Sequence, residues 1–376
     1  MESVKILKDL INLKTVNPPG DEIRIVNYIK KFFTKNKIKF KIFAKDKKRP
    51  NIIGYLGKGK PRLLISCHSD TVPAGEGWST NPFKAVVKNK RIYGRGALDD
   101  KGPLAALLMA AKEIKKIENN LKGTFLVCIP SDEERGSAFG LKYLINKCKI
   151  KPDFAMMPDN AGSMKHISVA EKGVLWLELN SKGKIAHGSR PEKGINAVSN
   201  LIEVLNLIKK YNMKFKEHNL LSKPTINLGQ IQGGNAPNMV PSIAKAVLDI
   251  RFLPSQNPQQ ILNDIKNLIK KAKNKNKTIN INVNILEKAQ ATEVDENNKL
   301  IGIIKRITKK TLGFEPKIVG DSGASDAKSL IAKSIPAVGF SFGEGKMFHV
   351  ANENVKIKEL NQFSVVLTEI VKSVLK

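Results

Sequence analysis

The segment RLLISCHSDTVP, residues 62–73, passes from an apolar run into a polar cluster and indicates the fold class of the chain. Its first six residues predict a buried strand, because a short apolar run is typical of a strand inside a sheet. Further buried strands are predicted at residues 51–56, 124–129 and 154–157, and helices at residues 4–13, 22–34 and 103–117. This alternation indicates an α/β layer whose sheet is mostly parallel or mixed.

The pattern changes near Gly173 and returns later in the chain. The intervening stretch predicts strands at residues 174–180, 224–228, 244–252 and 278–285, and helices at 196–210 and 259–273. The α/β pattern then resumes with helices at 300–311 and 357–374 and a strand at 337–340. We therefore predict a discontinuous α/β catalytic domain with a mixed sheet flanked by helices, residues 1–172 and 287–376. An α+β sandwich, residues 173–286, is inserted into it.

The composition is that of a globular protein. Of the 376 residues, 41% are hydrophobic, which suffices for two cores. No apolar run approaches the ~20 residues of a membrane span. The first 14 residues alternate apolar and charged positions and lack a signal-peptide pattern, so we expect a cytoplasmic protein without membrane contact. The three cysteines, which are not in CxxC spacing, indicate neither a disulfide scaffold nor a zinc ribbon.

The net charge of +31 raises the possibility of nucleic-acid binding. However, only 9 of the 65 basic residues are Arg, the residue that forms bidentate contacts to guanine and phosphate. The densest basic run, residues 270–277, has no aromatic residue on which a base could stack. We therefore expect lysine-rich, solvated helix faces and no nucleic-acid partner, although the charge could attract anionic substrates.

The polar end of the opening segment brings His68 and Asp70 together, since residues two apart on a strand share a face. Cys67 then points the other way and is a poor ligand candidate. A carboxylate beside an imidazole fixes the orientation of the ring, as a metal-binding histidine requires. The alternative is a structural histidine whose hydrogen bonds are satisfied.

Two further acidic clusters lie at the ends of predicted elements. Asp99 and Asp100 follow a glycine-rich stretch and precede the helix at residues 103–117. Asp100 could be an ordinary N-cap, because Asp stabilises the first turn of a helix. The run Asp132-Glu133-Glu134 follows the strand at 124–129, at the carboxyl end where open α/β sheets place their sites. A solvated acidic turn is the alternative.

The remaining candidates are Asp159, after the strand at 154–157, and His349, after the strand at 337–340. Together the clusters supply two imidazoles and several carboxylates but no thiolate, a set that suits zinc, manganese or cobalt. One Asp bridging two ions about 3.5–4 Å apart would form a co-catalytic site. A nearby carboxylate that binds no metal would then accept a proton from the attacking water.

Five motifs, HSDTVP, GRGALDDKG, SDEERG, PD and FHVANE, occur in this order. The set resembles the acetylornithine deacetylase, succinyl-diaminopimelate desuccinylase, aminoacylase and carboxypeptidase family of dinuclear zinc hydrolases. The resemblance covers nearly the whole chain and implies two divalent metal ions, zinc first, with cobalt or manganese as alternatives. The metal ligands that it implies are His68, Asp99 as the bridge, Glu134, Asp159 and His349. It also implies Glu133 as general base and Asp70 as the residue that steadies His68.

The inserted segment resembles the family's lid domain, which also forms a homodimer. Its loop AHGSRP, residues 186–191, implies that His187 reaches an active site, often the partner subunit's, as an oxyanion donor. A surface-loop histidine is the alternative. The substrate-binding residues that the resemblance implies are Asn238, Arg251, Gly323 and Ser325. It also implies a cis peptide bond between Asp99 and Asp100.

The resemblance implies hydrolysis of a linear amide bond. We expect deacylation of an N-acyl amino acid, of the succinyl-diaminopimelate or acetylornithine type. The alternative is a dipeptidase or carboxypeptidase of the same family, since peptides also end in a carboxylate.

Overall fold

The structure, a computed structural model, describes residues 1–160, 162–321, 323 and 325–376. These residues form two compact units. The first comprises Met1–Val169, Val294–Val319 and Ser325–Lys376, and the second comprises Ala170–Glu293 with Gly320, Asp321 and Gly323. The first unit is thus built from chain segments that precede and follow the second unit in the sequence.

The strands of the largest sheet are β1 (Lys39–Phe43), β2 (Asn51–Gly57), β3 (Arg62–Ser66), β6 (Thr124–Ile129), β7 (Phe154–Met157), β8 (His166–Glu171), β13 (Thr292–Glu293), β14 (Lys317–Asp321) and β15 (Ala337–Gly339). Their order is β1-β2-β6-β3-β7-β15-β8-β13, and β14 pairs with β8. The central neighbours β6, β3, β7 and β15 are parallel, whereas β1, β2, β8 and β13 pair antiparallel. The mixed sheet is therefore confirmed.

Helices flank this sheet, as the sequence predicts. They are α1 (Glu2–Asn12), α2 (Ile23–Lys35), α3 (Lys101–Lys115), α4 (Leu141–Asn146), α7 (Lys299–Leu312), α8 (Ala327–Ile331) and α9 (Ile357–Leu375). The helix α3 is largely buried, because its residues 102–111 are all nonpolar and it packs against α1 and α9. A small antiparallel sheet, in the order β16 (Asn354–Lys356), β5 (Arg91–Tyr93) and β4 (Val86–Lys88), completes this unit.

The second unit is an antiparallel sheet with two helices. Its strands are β9 (Gly173–Lys182), β10 (Thr225–Gly233), β11 (Ile243–Phe252) and β12 (Ile281–Ala289), in the order β10-β11-β9-β12. The helices are α5 (Ala197–Lys209) and α6 (Pro258–Lys275). Leu175, Leu177 and Leu179 alternate along β9 and join a core with both helices, while Trp176 faces outward. The predicted separate α+β layer is thus present.

Some elements differ from the predictions. The strand β10 runs five residues beyond the predicted end at Leu228, because its continuation GQIQG pairs with β11 although it lacks apolar alternation. Short strands such as β1 and β8 were not predicted. Among the described residues, no helix is both long and apolar enough to cross a membrane.

Candidate metal centre

Three neighbouring parallel strands deliver the candidate residues to one edge of the sheet. The strand β3 is followed by His68 and Asp70, β6 by Glu133 and Glu134, and β7 by Asp159. Because β6, β3 and β7 are adjacent and parallel, their carboxyl ends lie at the same edge. The sequence pattern therefore becomes a spatial cluster through the register of these strands.

The carboxylate of Asp99 lies between two imidazoles. Its Oδ1 is 2.8 Å from His68 Nε2, and its Oδ2 is 2.9 Å from His349 Nε2. The Oε2 atom of Glu134 is 3.5 Å from His349 Nε2. One carboxylate thus presents a separate oxygen to each histidine, which is the arrangement that a bridging ligand needs.

Two overlapping groups of possible metal-binding atoms share His68. In one group, the ligand atoms of His68, Asp99 and Glu134 all lie within 4.8 Å of one another. In the other, the same holds for His68, Glu133 and Asp159. The structure therefore brings together all five predicted ligands and the predicted base.

Asp70 fixes the orientation of His68. The Nδ1 atom of His68 is 3.0 Å from the backbone oxygen of Asp70 and 3.4 Å from its Oδ1. Burial alone would raise the pKa of Asp70, but its hydrogen bonds to His68 and Asn17 outweigh burial and lower it. The same carboxylate accepts the backbone N–H groups of Glu133 at Oδ1 and Glu134 at Oδ2. A single side chain therefore aligns the histidine and the acidic loop.

Asp99 and Asp100 are joined by a cis peptide bond, as the resemblance implied. Asp100 occupies the N-cap position of α3, yet its side chain makes no capping hydrogen bond. Its Oδ2 instead accepts the backbone N–H of His68 at 3.0 Å. The N-cap interpretation of the Asp100 side chain was therefore wrong, and this carboxyl ties the loop before α3 to the end of β3.

Glu353 holds the loop that carries Asp99, a role that the motif FHVANE did not reveal. Its carboxylate is fully buried and accepts hydrogen bonds from Arg95 Nη1 and from the backbone N–H groups of Gly96, Leu98 and Asp99. No local pattern could have shown this, because more than 250 residues separate Glu353 from its partners.

The cluster accumulates buried negative charge. Burial, reinforced by neighbouring carboxylates, raises the pKa of Glu133 and of Asp159 well above the ordinary range. The same causes raise the pKa of Glu134 to about 7. Like charges in a desolvated site favour an added cation, and imidazole and carboxylate donors suit zinc, cobalt and manganese. The residues therefore fit divalent metal ions.

The predicted residues His187, Asn238 and Arg251 belong to the second unit. His187 is exposed, and its Nδ1 accepts the backbone N–H of Ser189 at 3.1 Å. The exposed Asn238 accepts the N–H of Gly188 through its backbone oxygen, so it lies beside the His187 loop. The guanidinium of Arg251 already makes two hydrogen bonds to Asp249, at 2.8 and 3.1 Å.

Of the other two predicted substrate-binding residues, Gly323 donates its N–H to Asp321 Oδ1, and Ser325 Oγ accepts the N–H of Ala327. Their neighbours Ser322 and Ala324 lie outside the described residues. The substrate-binding roles of Asn238, Arg251, Gly323 and Ser325 stay predictions, as does the role of His187.

An α/β domain whose parallel strands and long loops gather two imidazoles and several carboxylates defines a metallohydrolase. The chain belongs to Peptidase family M20/M25/M40, whose family model matches residues 64–373. This membership confirms the family resemblance in the motifs.

Individual relatives are similar to this chain over nearly its whole length. An uncharacterised metallohydrolase of Methanocaldococcus jannaschii is 31% identical over 99% of both chains. A probable succinyl-diaminopimelate desuccinylase of Staphylococcus aureus is 29% identical over 94% of this chain and 93% of its own. The crystal structure of an M20 family metallo-carboxypeptidase from Sulfolobus solfataricus has a TM-score of 0.82 at 25% identity and covers 99% of both chains.

Proposed function

We propose that this hydrolase removes the acyl group of an N-acyl amino acid, in the manner of the succinyl-diaminopimelate and acetylornithine deacylases. The observation that carries the proposal is the Asp99 carboxylate, which presents one oxygen to each of two imidazoles while Glu133 lies beside the same cluster. Such a centre suits a linear amide substrate, because both the carbonyl and the attacking water need activation.

The proposed ligands are His68 and Asp159 for one ion, Glu134 and His349 for the other, and Asp99 for both. Two divalent ions, zinc in our proposal, would polarise the scissile carbonyl and lower the pKa of the attacking water. Glu133 accepts the proton of that water and passes it to the leaving amine.

A dipeptidase or carboxypeptidase activity is the alternative within the family. The similarity to the Sulfolobus metallo-carboxypeptidase supports this alternative, whereas the similarity to the probable desuccinylase supports deacylation. The net charge of +31 attracts anionic substrates of either kind. The surface charge therefore does not separate the two activities.

The test is release of free amine by the zinc-loaded protein from a matched panel. The panel holds N-succinyl-diaminopimelate, N-acetylornithine, other N-acetyl amino acids and several dipeptides. Preference for one acylated substrate supports the deacylase, and preference for dipeptides moves the protein to the peptidase branch. If the protein binds two metals but releases no amine from any panel substrate, both proposals are contradicted.

The control for that panel is Glu133→Gln. Glutamine has nearly the shape of glutamate but cannot accept the proton, so turnover should fall by about 10²–10⁴-fold while both metals stay bound. A near-normal rate in this variant would remove Glu133 from the mechanism.

We also propose that the second unit forms a homodimer and that His187 stabilises the oxyanion in the partner's site. Support comes from β10, an edge strand along which Leu228 and Ile231 are exposed, with Ile202 of α5 also exposed. Mixing His187→Ala with Asp99→Ala subunits should then restore activity, because each mixed dimer keeps one intact site. No recovery after verified subunit exchange would mean that His187 does not act on the partner's site.

A further inference from the structure

One buried amide outside the five motifs contacts the acidic residues of the candidate centre. Asn17 is 3% exposed, and its Nδ2 atom donates to Asp70 Oδ2 at 2.8 Å and to Asp132 Oδ1 at 3.1 Å. Asp70 accepts the backbone N–H groups of Glu133 and Glu134, and Asp132 directly precedes them. Asn17 therefore joins the two carboxylates that border the loop of the proposed base and ligand.

The backbone around Asn17 is held in register, so this amide has little freedom to move. The N–H of Asn17 donates to the oxygen of Thr71 at 2.9 Å, and the N–H of Thr71 donates to the oxygen of Thr15 at 3.0 Å. The hydroxyl of Thr15 donates to the oxygen of Ser69 at 2.7 Å. The segment before Asn17 thus runs alongside residues 69–71, which places its side chain at Asp70.

Asp132 is the other end of the link. Its φ of +63° lies in the left-handed region, which Asp tolerates better than most residues. Its Oδ2 accepts the N–H of Phe139, and its backbone oxygen accepts the N–H of Ser137. The loop from Asp132 to Phe139 therefore closes on the side chain that Asn17 holds.

The charges explain why an amide suits this position. The guanidinium of Arg49 is shared between Glu22, at 2.6 Å, and Asp132, at 2.9 Å. A neutral amide nitrogen has two N–H groups and can satisfy two carboxylates without adding charge. An alanine at position 17 would remove the donor that Asp70 Oδ2 and Asp132 Oδ1 share in this buried site.

We propose that Asn17 is a positioning residue of the metal centre, because its amide joins Asp70 to Asp132 and so holds Glu133 and Glu134 in place. The expected effect of Asn17 on catalysis rests on the proposed function. Its effect on metal binding can be measured without any substrate.

The experiment compares Asn17→Ala with a matched control, Asn51→Ala. Asn51 is also fully buried, and its Nδ2 makes two hydrogen bonds, to the backbone oxygens of Phe43 and Phe139. It anchors the same loop through backbone groups, since its Oδ1 also accepts the N–H of Ser131, but it hydrogen-bonds to neither the Asp70 nor the Asp132 carboxylate. Zn²⁺ affinity is measured by competition with a chelator, kcat and KM with the best panel substrate, and Tm for each variant.

We expect Asn17→Ala to bind Zn²⁺ up to about 10-fold more weakly, the lower end of the usual loss when a residue that orients a metal ligand is removed, because Asn17 acts on the ligands through Asp70 and Asp132. Its kcat should fall while KM changes little, because the base is displaced and the substrate contacts are kept. Asn51→Ala should have a lower Tm than the wild-type protein but keep most of its Zn²⁺ affinity. Equal Zn²⁺ affinities in the two variants would overturn the proposal, since they would leave Asn17 only a structural role.

A second variant keeps the test decisive if Asn17→Ala does not fold. Asp132→Gly removes the same link from its other end, and glycine accepts the left-handed backbone. It should weaken Zn²⁺ binding similarly, and wild-type affinity in this variant would contradict the proposal. If the wild-type protein hydrolyses no panel substrate, the proposed function fails, yet the Zn²⁺ comparison still decides the role of Asn17.

Discussion

At the scale of single residues, the two histidines around Asp99 differ in how firmly they are held. His68 is 2% exposed and is oriented by Asp70. The side chain of His349 is 53% exposed, and the hydrogen bond to Asp99 raises the pKa of its imidazole despite partial burial. His349 is also a proposed ligand of only one of the two ions. Its loss should therefore affect one metal ion more than the other.

We accordingly expect His349→Ala to bind fewer than two equivalents of metal and to lose most activity. Metal analysis after dialysis against a weak chelator gives the stoichiometry. The matched control is His166→Ala, a histidine of the same unit that we do not assign to the centre. Two full equivalents in His349→Ala would contradict its assignment as a ligand.

At the scale of elements, the loop before α3 depends on Glu353, which immediately precedes β16. Four N–H groups converge on the Glu353 carboxylate, and one of them belongs to Arg95, whose side chain is 1% exposed. A buried ion pair adds little net stability compared with apolar packing, but breaking one leaves a costly uncompensated charge. The carboxylate therefore supports the loop that presents Asp99.

Glu353→Ala should lower the free energy of unfolding by about 3–5 kcal/mol, because the Arg95 guanidinium would remain buried without its partner. Urea unfolding of the metal-free protein measures this change without a contribution from bound metal. In the control, Glu344→Ala, the lost carboxylate is partly exposed and pairs with Arg91, Lys356 and Lys346. Solvent screens these partly exposed pairs, so this loss should be smaller than that of Glu353→Ala, and equal losses in both variants would refute the role of Glu353.

The elements also show where sequence patterns suffice. The strands β6 and β7 begin and end where predicted, because short apolar runs bounded by polar residues are distinctive. The strand β8 was missed, since its sequence HISVAE mixes polar and small residues although most of it is buried. Its burial depends on neighbouring strands, which a local pattern cannot show.

Only part of the candidate site could likewise be predicted from the sequence. The clusters of His68 and of Glu133 follow strands and could be placed at one sheet edge from the sequence. Asn17 and Glu353 could not be found, because each acts through hydrogen bonds to residues far away in the chain. Local spacing identifies residues that a strand end presents, but it carries no information about partners that only the folded chain brings together.

At the scale of the whole molecule, the net charge of +31 opposes compactness. Like charges spread over a surface repel, and salt screens them over a Debye length that falls from about 30 Å at 0.01 M to about 8 Å at 0.15 M. We therefore expect Tm to rise when NaCl is raised over this range at neutral pH. Scanning calorimetry in a buffer of low ionic strength measures the change. An unchanged or lower Tm would mean that local ion pairs outweigh the overall repulsion.

The first unit is assembled from three separate segments of the chain, so its early segments are synthesised well before their partners. The strand β7 pairs with β15, and the Asp99 carboxylate lies within hydrogen-bonding distance of the His349 imidazole. Both β7 and Asp99 lie in the first half of the chain, whereas β15 and His349 are synthesised near its end. Until then, the growing polypeptide leaves the ribosome with an open edge on β7, and unpaired edges invite association with other chains. The second unit, whose four strands are nearly contiguous in the chain, can close its own sheet earlier. Chaperone demand during translation should therefore be greatest after the second unit has emerged and before β15 has.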